Sequence, residues 1–334
     1  MGYDAGVLHK ATQKLEENRR LHGEKRDRLR AEAYQKQPRL AQIDRQLRGT
    51  MAQLMATALR QGENPAQAIQ NIRRENLELQ RERAELMALL GLEKDALDET
   101  PMCPDCRDSG WQGARMCRCL KQLYAKEQIA ELSKVLDLGE QSFESFRMDY
   151  YSTAVWSGRG ISPRENMELV KDICYSYATR FDRFFTKNLF LSGAPGLGKT
   201  FLSACIARSV SEQGRSVVYD TAGNVFARFE ARKFQRDSAD GLEARDETRR
   251  YLHCDLLILD DLGSELTTQF TQSALYELLN SRLVAGKHTV ISSNLSMQDV
   301  ARRYSPQIAS RLEGEYHILH FFGDDIRLLK KKQM

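Results

Sequence analysis

The sequence predicts an α/β domain built on a parallel sheet flanked by helices, preceded by an α-helical region and a small cysteine-rich module. Three observations carry that prediction. The stretch "NLFLSGAPGLGKTFLSACIARS", Asn188 to Ser209, sets a glycine-rich loop between two apolar runs. A second run, Leu256 to Leu259, is apolar throughout, as a strand buried on both faces requires, and ends in Asp260 and Asp261. From Asp4 to Leu92, by contrast, the chain is rich in Arg, Glu, Gln, Leu and Ala, with almost no β-branched or aromatic residues, which favours long helices.

The 334 residues suffice for two or three domains. An apolar share of 41% allows at least one sizeable core, while 29% charged residues and a mean hydropathy of −0.55 describe a water-soluble chain. No run approaches the ~18 apolar residues of a membrane span, and the N-terminus lacks the apolar core of a secretory signal. A cytoplasmic protein with no membrane partner is expected. A net charge of +4 is too weak to argue for nucleic acid by itself, so any DNA contact has to come from a local basic surface.

In the helical region, Asn64 and Pro65 read as N-cap and first helical position, and Gly91 as the stop. Between them Ile69, Ile72, Asn76, Leu79, Arg83, Leu86 and Leu90 fall at alternating spacings of three and four, a heptad seam with polar breaks at Asn76 and Arg83. After Pro38, Leu40, Ile43, Leu47, Met51 and Leu54 repeat the spacing. An antiparallel hairpin, an intermolecular coiled coil and a solvated spacer are all compatible with it.

Next, "CPDCRDSGWQGARMCRC" places Cys103, Cys106, Cys117 and Cys119 in a C-x2-C-x10-C-x-C pattern. Four thiolates satisfy tetrahedral Zn2+ with no position left for water, so the site is expected to be structural. Two disulfides do not suit a reducing compartment, and a lone redox pair leaves the other two thiols unexplained. Cys174, Cys205 and Cys254 stand singly in apolar settings and read as buried small hydrophobes. A short helical run is expected from Tyr124 to Leu136, then the linker-like "SFESFRMDYYS". Ser162 and Pro163 open a helix with Met167, Val170, Ile173, Cys174 and Tyr177 on one face.

Gly193, Ala194, Pro195, Gly196, Leu197, Gly198, Lys199 and Thr200 fit G-x-x-x-x-G-K-[ST], the P-loop, between the strand "LFLS" and the helix "TFLSACIARS". Its glycines let backbone N–H groups curl around phosphate, and the helix N-terminus adds its positive dipole. The pattern assigns Lys199 to the β- and γ-phosphates of ATP and Thr200 to Mg2+. Asp260 and Asp261 then sit at the carboxyl end of a buried strand, where open α/β sheets bind ligands. Asp260 would hold Mg2+ and Asp261 would orient or deprotonate the attacking water. The reading of two aspartates capping a turn is the alternative.

A third strand, "HTVISSN", ends at Asn294, before a capping box of Ser296 and Asp299. Asn294 reads as a turn residue or as a side chain that positions water. In "SPQIASRLEG", Ser305 and Pro306 open a short helix that Gly314 stops, and Arg311 in its last turn suits the helix dipole or a neighbouring subunit's phosphate. After the closing strand "HILHFF", Arg327 either reaches the nucleotide or pairs with Asp324 or Asp325.

The order of these parts resembles the AAA+ ATPases of the initiator clade, and within them the bacterial helicase loaders of the DnaC/DnaI type. "GAPGLGKTFL", "CDLLILDDLG", "TVISSNLS", "IASRLEGEYHIL", "GDDIR" and the upstream "SFESF" carry the likeness, over about residues 140 to 334. The cysteine module is similar to the zinc-binding helicase-contacting domain of the DnaI branch. The resemblance implies Walker A roles for Lys199 and Thr200, Walker B roles for Asp260 and Asp261, and sensor 1 for Asn294. It also implies an arginine finger acting in trans for Arg311 and sensor 2 for Arg327. Asp261 stands where many AAA+ proteins have glutamate, and about seven residues follow Arg327, too few for a helical lid.

On this reading residues 1–98 form a helical or coiled-coil region and 99–122 the four-cysteine zinc-binding module. Residues 123–161 form a linker and the start of the nucleotide-binding region, and 162–334 an AAA+ ATPase domain. The expected function is Mg-dependent ATP hydrolysis coupled to self-association through the ATPase domain, to single-stranded DNA and to a replicative DNA helicase. The DNA surface is expected on the insertion "ARFEARKFQRDSADGLEARDETRRYLH", through Arg228, Arg232, Lys233, Arg236, Arg249 and Arg250; a solvated helix pair is the alternative. Two other functions fit: a transposition helper ATPase of the IstB type, and a scaffold that binds ATP with little hydrolysis.

Overall fold

The computed structural model describes residues 3–59, 65–134, 141–234 and 239–333, with side chains outside 51–59, 65–68, 239–244 and 332–333. By internal contacts the chain divides into two compact units, one of residues 13–117 and one of 1–12 with 118–334. Helix α1 runs Ala5–Lys36 across that division.

In the smaller unit, α2 (Pro38–Leu59) and α3 (Pro65–Leu89) pack against each other, which answers the question left by the heptad spacing. Leu40, Ile43 and Met87 are fully buried. The polar breaks find partners within the chain: Thr50 Oγ1 donates to Asn76 Oδ1 at 2.9 Å, and Arg83 reaches Asp44 at 2.6 Å and Asp98 at 2.6 Å. A hairpin therefore uses the seam itself, with Ile69 left exposed. Gly91 adopts φ +67 just beyond α3, as a helix stop requires. The expected cap at Asn64 lies outside the described residues. Beyond α3, β1 (Trp111–Gln112) and β2 (Arg115–Met116) pair antiparallel within the cysteine-rich stretch.

Beyond residues 1–12, the larger unit opens with α4 (Arg118–Leu132), longer at its start than the run expected from Tyr124; the expected end at Leu136 lies outside the described residues. Its Gln128 bonds Ser211 Oγ, the Arg215 carbonyl and the Val217 N–H at 2.8 to 2.9 Å, so the helix is stitched to the start of a strand. Residues read as linker-like contribute Phe143, Phe146 and Tyr151 to the core. Helix α5 (Pro163–Thr179) opens on a Ser162–Glu165 capping box and buries Met167, Val170, Cys174 and Tyr177, the face its spacing marks.

The sheet follows: β3 (Asn188–Gly193), α6 (Lys199–Glu212), β4 (Val217–Thr221), α7 (Ala222–Phe234), α8 (Ala239–His253), β5 (Leu256–Leu262), α9 (Gln269–Val284) and β6 (His288–Ser293). It closes with α10 (Met297–Arg303), α11 (Pro306–Glu315), β7 (His317–Phe321) and α12 (Ile326–Gln333). Helix α11 runs one residue past Gly314, the expected stop. Strand order is β4–β5–β6–β3–β7, all parallel. Strand alternation sends Leu256 and Ile258 into a core with α5 and α6, and Leu257 and Leu259 into one with α7, α9 and α11. Each such side chain contributes roughly 1.5 to 3 kcal/mol on burial. Cys174, Cys205 and Cys254 are buried, as their apolar settings imply.

Candidate functional site at the carboxyl ends of three strands

Strands β3, β5 and β6 are neighbours in the sheet, so their carboxyl ends bring Gly193, Asp260–Asp261 and Asn294 together. The loop from Gly193 to Gly198 requires glycine at Gly196 and Gly198. Gly196 has φ +77, and a Cβ there would fall 1.9 Å from Asp325 Oδ1; Gly198 has φ +92, and a Cβ would fall 2.7 Å from the Tyr151 hydroxyl. That hydroxyl donates to the Leu197 carbonyl at 3.0 Å, and Ile326 N–H donates to the Gly196 carbonyl at 3.0 Å. Both sides of the loop are therefore held by segments distant in sequence.

Lys199, nearly buried at the start of α6, donates from Nζ to the carbonyls of Gly193 at 2.5 Å and Ala194 at 2.8 Å, and to Asn294 Oδ1 at 2.8 Å. Burial pulls its ammonium down to about 8, against the opposing pull of Asp261 and Asp260. Thr200 Oγ1 donates to Asp260 Oδ2 at 3.2 Å. The Tyr219 hydroxyl meets the same oxygen and Ser292 Oγ meets Oδ1. Asp261 sits at φ +54, in the left-handed region, beside an irregularity in the β5–β6 register, and its N–H donates to Ser292 Oγ at 3.0 Å. Burial and then Asp260 raise the Asp261 carboxyl above the usual range.

A cavity of about 430 Å³ lies over this group. Its walls include Pro195 to Thr200, Asp261, Asn294 and Arg327, all expected from sequence. They also include Phe146, Arg147, Tyr150 and Tyr151 from the linker-like stretch, and Lys330 from α12. Of these five, only Phe146 carries a sequence signal, as the last residue of the "SFESF" element of the family likeness. Arg147 lies 4.7 Å over the Tyr150 ring, and Phe146 stacks on Tyr151 at 5.8 Å. Arg327 lines the cavity while its N–H is capped by Asp325 Oδ1 at 2.8 Å. Arg311 is not among those walls: on α11 it donates to Asn280 Oδ1 at 2.7 Å and lies 5.5 Å from the Tyr276 ring centre.

The four cysteines also converge. The sulfur atoms of Cys103, Cys106, Cys117 and Cys119 all lie within 4.8 Å of one another. Gly110 N–H points at Cys106 Sγ at 3.3 Å, and Asp108 accepts the N–H groups of Met102 at 3.0 Å and Cys103 at 2.8 Å. Four sulfur donors with a backbone N–H on one of them fit a closed tetrahedral metal site.

On the insertion, α7 and α8 enclose with α9 a groove of about 640 Å³ lined by Phe229, Arg232, Lys233, Arg245 and Phe270. Arg232 stacks over Phe229 at 5.0 Å, and Lys233 Nζ lies 5.3 Å from the Phe270 ring centre. Arg250 pairs with Asp4 at 2.7 Å and Glu247 at 2.6 Å. Arg236 lies outside the described residues. No helix among the described residues is long and apolar enough to cross a membrane.

Fold and loop together define an α/β domain of the P-loop type. Residues 180–334 match the family described as IstB-like ATP binding protein. The chain is 28% identical over 151 residues to the insertion-sequence ATP-binding protein y4pL of Sinorhizobium fredii, covering 44% of this chain and 59% of that one. It is 22% identical over 136 residues to the replicative helicase loader DnaC of Escherichia coli K12, covering 41% and 54%. The chain thus spans about half the length of the curated relatives it matches. A crystal structure of the DnaC helicase loader aligns with a TM-score of 0.44 at 17% identity, covering 56% of this chain and 99% of that one.

Proposed function

We propose that the larger unit is a Mg-dependent ATPase whose nucleotide state governs self-association and grip on single-stranded DNA, in the service of loading a replicative helicase. The observation that carries the ATPase is the convergence of Lys199, Asn294, Asp260 and Asp261 beside the P-loop. Lys199 binds the β- and γ-phosphates, and the loop N–H groups hold phosphate oxygens. Thr200 and Asp260, already in contact, are the residues that would hold Mg2+, which when bound neutralises phosphate charge. Asp261 accepts a proton from the attacking water, Asn294 orients that water, and Arg327 supports the phosphates from the cavity wall. Arg311, away from its own chain's cavity, serves a neighbouring subunit. Phe146, Tyr150 and Tyr151 present aromatic surface that suits the base.

The groove on α7 to α9, with Lys233 and Arg245 beside Phe270, supports the single-stranded DNA reading, since stacked bases and phosphates want that pairing of surfaces; Arg232 is paired there with Glu277 at 2.8 Å and Phe229 is buried. The cysteine cluster is read as a structural Zn2+ site, and a cysteine module ahead of the ATPase favours the loader over the transposition helper. The family match of residues 180–334 favours the second reading, an IstB-type transposition helper.

ATP turnover by the purified chain, with and without single-stranded DNA, tests the proposal. Turnover accelerated by DNA supports it; ATP bound but never hydrolysed turns the protein into a nucleotide-binding scaffold. Acceleration by a replicative helicase, against acceleration by a transposase, separates the two readings of its service.

A further inference from the structure

We infer that Tyr219 is a positioning residue for Asp260, setting the affinity of the site for the divalent cation while leaving affinity for the nucleotide itself unchanged. The inference rests on the Mg-dependent ATP reading above. Tyr219 lies in β4, away from every motif that marks the site in sequence. In the register of β4 on β5, Tyr219 stands opposite Ile258 and Thr221 opposite Asp260. Residues two apart share a face, so Tyr219 and Asp260 are diagonal neighbours, a separation that an aromatic side chain spans.

Three hydroxyls from three elements grip one carboxylate that is 3% exposed. Thr200 of α6 and Tyr219 of β4 meet Oδ2, and Ser292 of β6 meets Oδ1. Thr200 belongs to the P-loop, and Ser292 also takes the Asp261 N–H. Tyr219 has neither tie and is not part of the cavity wall. Its hydroxyl fixes the carboxylate plane and aims Oδ2 at Thr200. A ligand held this way binds its metal more tightly than one free to rotate, and losing such a support typically costs 10- to 100-fold in metal affinity.

The test is binding of an N-methylanthraniloyl ATP analogue to the full chain, in EDTA and across a Mg2+ titration, for wild type, Tyr219→Phe and Tyr251→Phe. Tyr251 is a fair comparison because its hydroxyl bonds the carboxylate next along β4, Asp220, at 2.6 Å. Tyr219→Phe is expected to match wild type in EDTA and to need roughly tenfold more Mg2+ for half-saturation, with Tyr251→Phe tracking wild type. Superimposable Mg2+ titrations, or an equal loss in EDTA, would show the hydroxyl to be structural only. Wild-type binding that ignores Mg2+ would overturn the underlying reading and this inference with it. Should Tyr219→Phe fail to fold by circular dichroism, Tyr219→Met, which also lacks the hydroxyl, takes its place: the same rise in the Mg2+ requirement is expected, and an unchanged requirement would overturn the inference.

Discussion

Lys199 Nζ donates to Asn294 Oδ1 at 2.8 Å, which ties the P-loop lysine to the residue just beyond β6. The same side chain spans the carbonyls of Gly193 and Ala194. Asn294 is thus placed beside the P-loop lysine, on the cavity wall, by the adjacency of β3 and β6 and by a direct bond.

Asn294→Ala is therefore expected to lower kcat for ATP by about 10²- to 10³-fold, the usual cost of losing one oriented polar group at a reacting centre. Nucleotide affinity should change little, because Lys199 and the loop remain. Separate measurement of kcat and Kd checks this; a loss confined to Kd would return Asn294 to the role of a turn residue.

Gly196→Ala faces two separate penalties. The left-handed φ of +77 costs about 1 to 2 kcal/mol for a residue with a Cβ, and that Cβ would overlap the Asp325 carboxylate. Weakened ATP binding and a lower Tm are expected. Adding Asp325→Ala should recover part of the Tm loss, since it removes the overlap and leaves the backbone strain. No recovery would mean that Asp325 does not press on the loop.

His288 supplies a pH dependence of stability. Its ring stacks on Phe181 at 3.9 Å between centres and meets the Tyr177 hydroxyl through Nδ1 at 3.3 Å. Burial first, then Lys187 and Arg282, against Asp182 and Asp255, depress its pKa from 6.5 to about 4. The folded state then binds fewer protons than the unfolded one between those values, so the contribution is complete above about pH 6.5 and falls as pH drops toward 4. Between pH 7 and pH 5 the loss is about 2 kcal/mol. Urea unfolding at both values should show it for wild type and not for His288→Gln; equal losses in the two proteins would assign the dependence to other groups.

The cysteine cluster is expected to hold one Zn2+ per chain, read by elemental analysis of protein purified without added metal. Cys103→Ser and Cys117→Ser should each lose the ion and lower the Tm, because a structural zinc site contributes folding energy directly. Metal-free wild type with an unchanged Tm would make the clustered thiols a packing feature.

The parts legible in sequence are those whose chemistry is contiguous. A P-loop needs its glycines, lysine and threonine in one short run, and the Leu256–Leu259 strand announces both its burial and the position of its aspartates. The four cysteines are readable for the same reason. Tyr219 and Ser292 were not, because only strand register brings them to Asp260, and a tyrosine or serine in a buried strand has many other uses. Phe146 and Tyr151 looked like linker because no periodicity marks them; they reach the loop through tertiary packing alone. The heptad seam was clear, but its partner was not: α2 supplies it within the chain.

The most direct test of the account mixes two inactive variants. Lys199→Ala removes the P-loop lysine, and Arg311→Ala removes a guanidinium that stands outside its own cavity. If Arg311 completes the site of a neighbouring subunit, each variant alone is inactive and the mixture recovers ATP hydrolysis, because some contacts pair an intact cavity with an intact Arg311. A mixture as inactive as its components, or Arg311→Ala retaining full turnover alone, would contradict the intersubunit site.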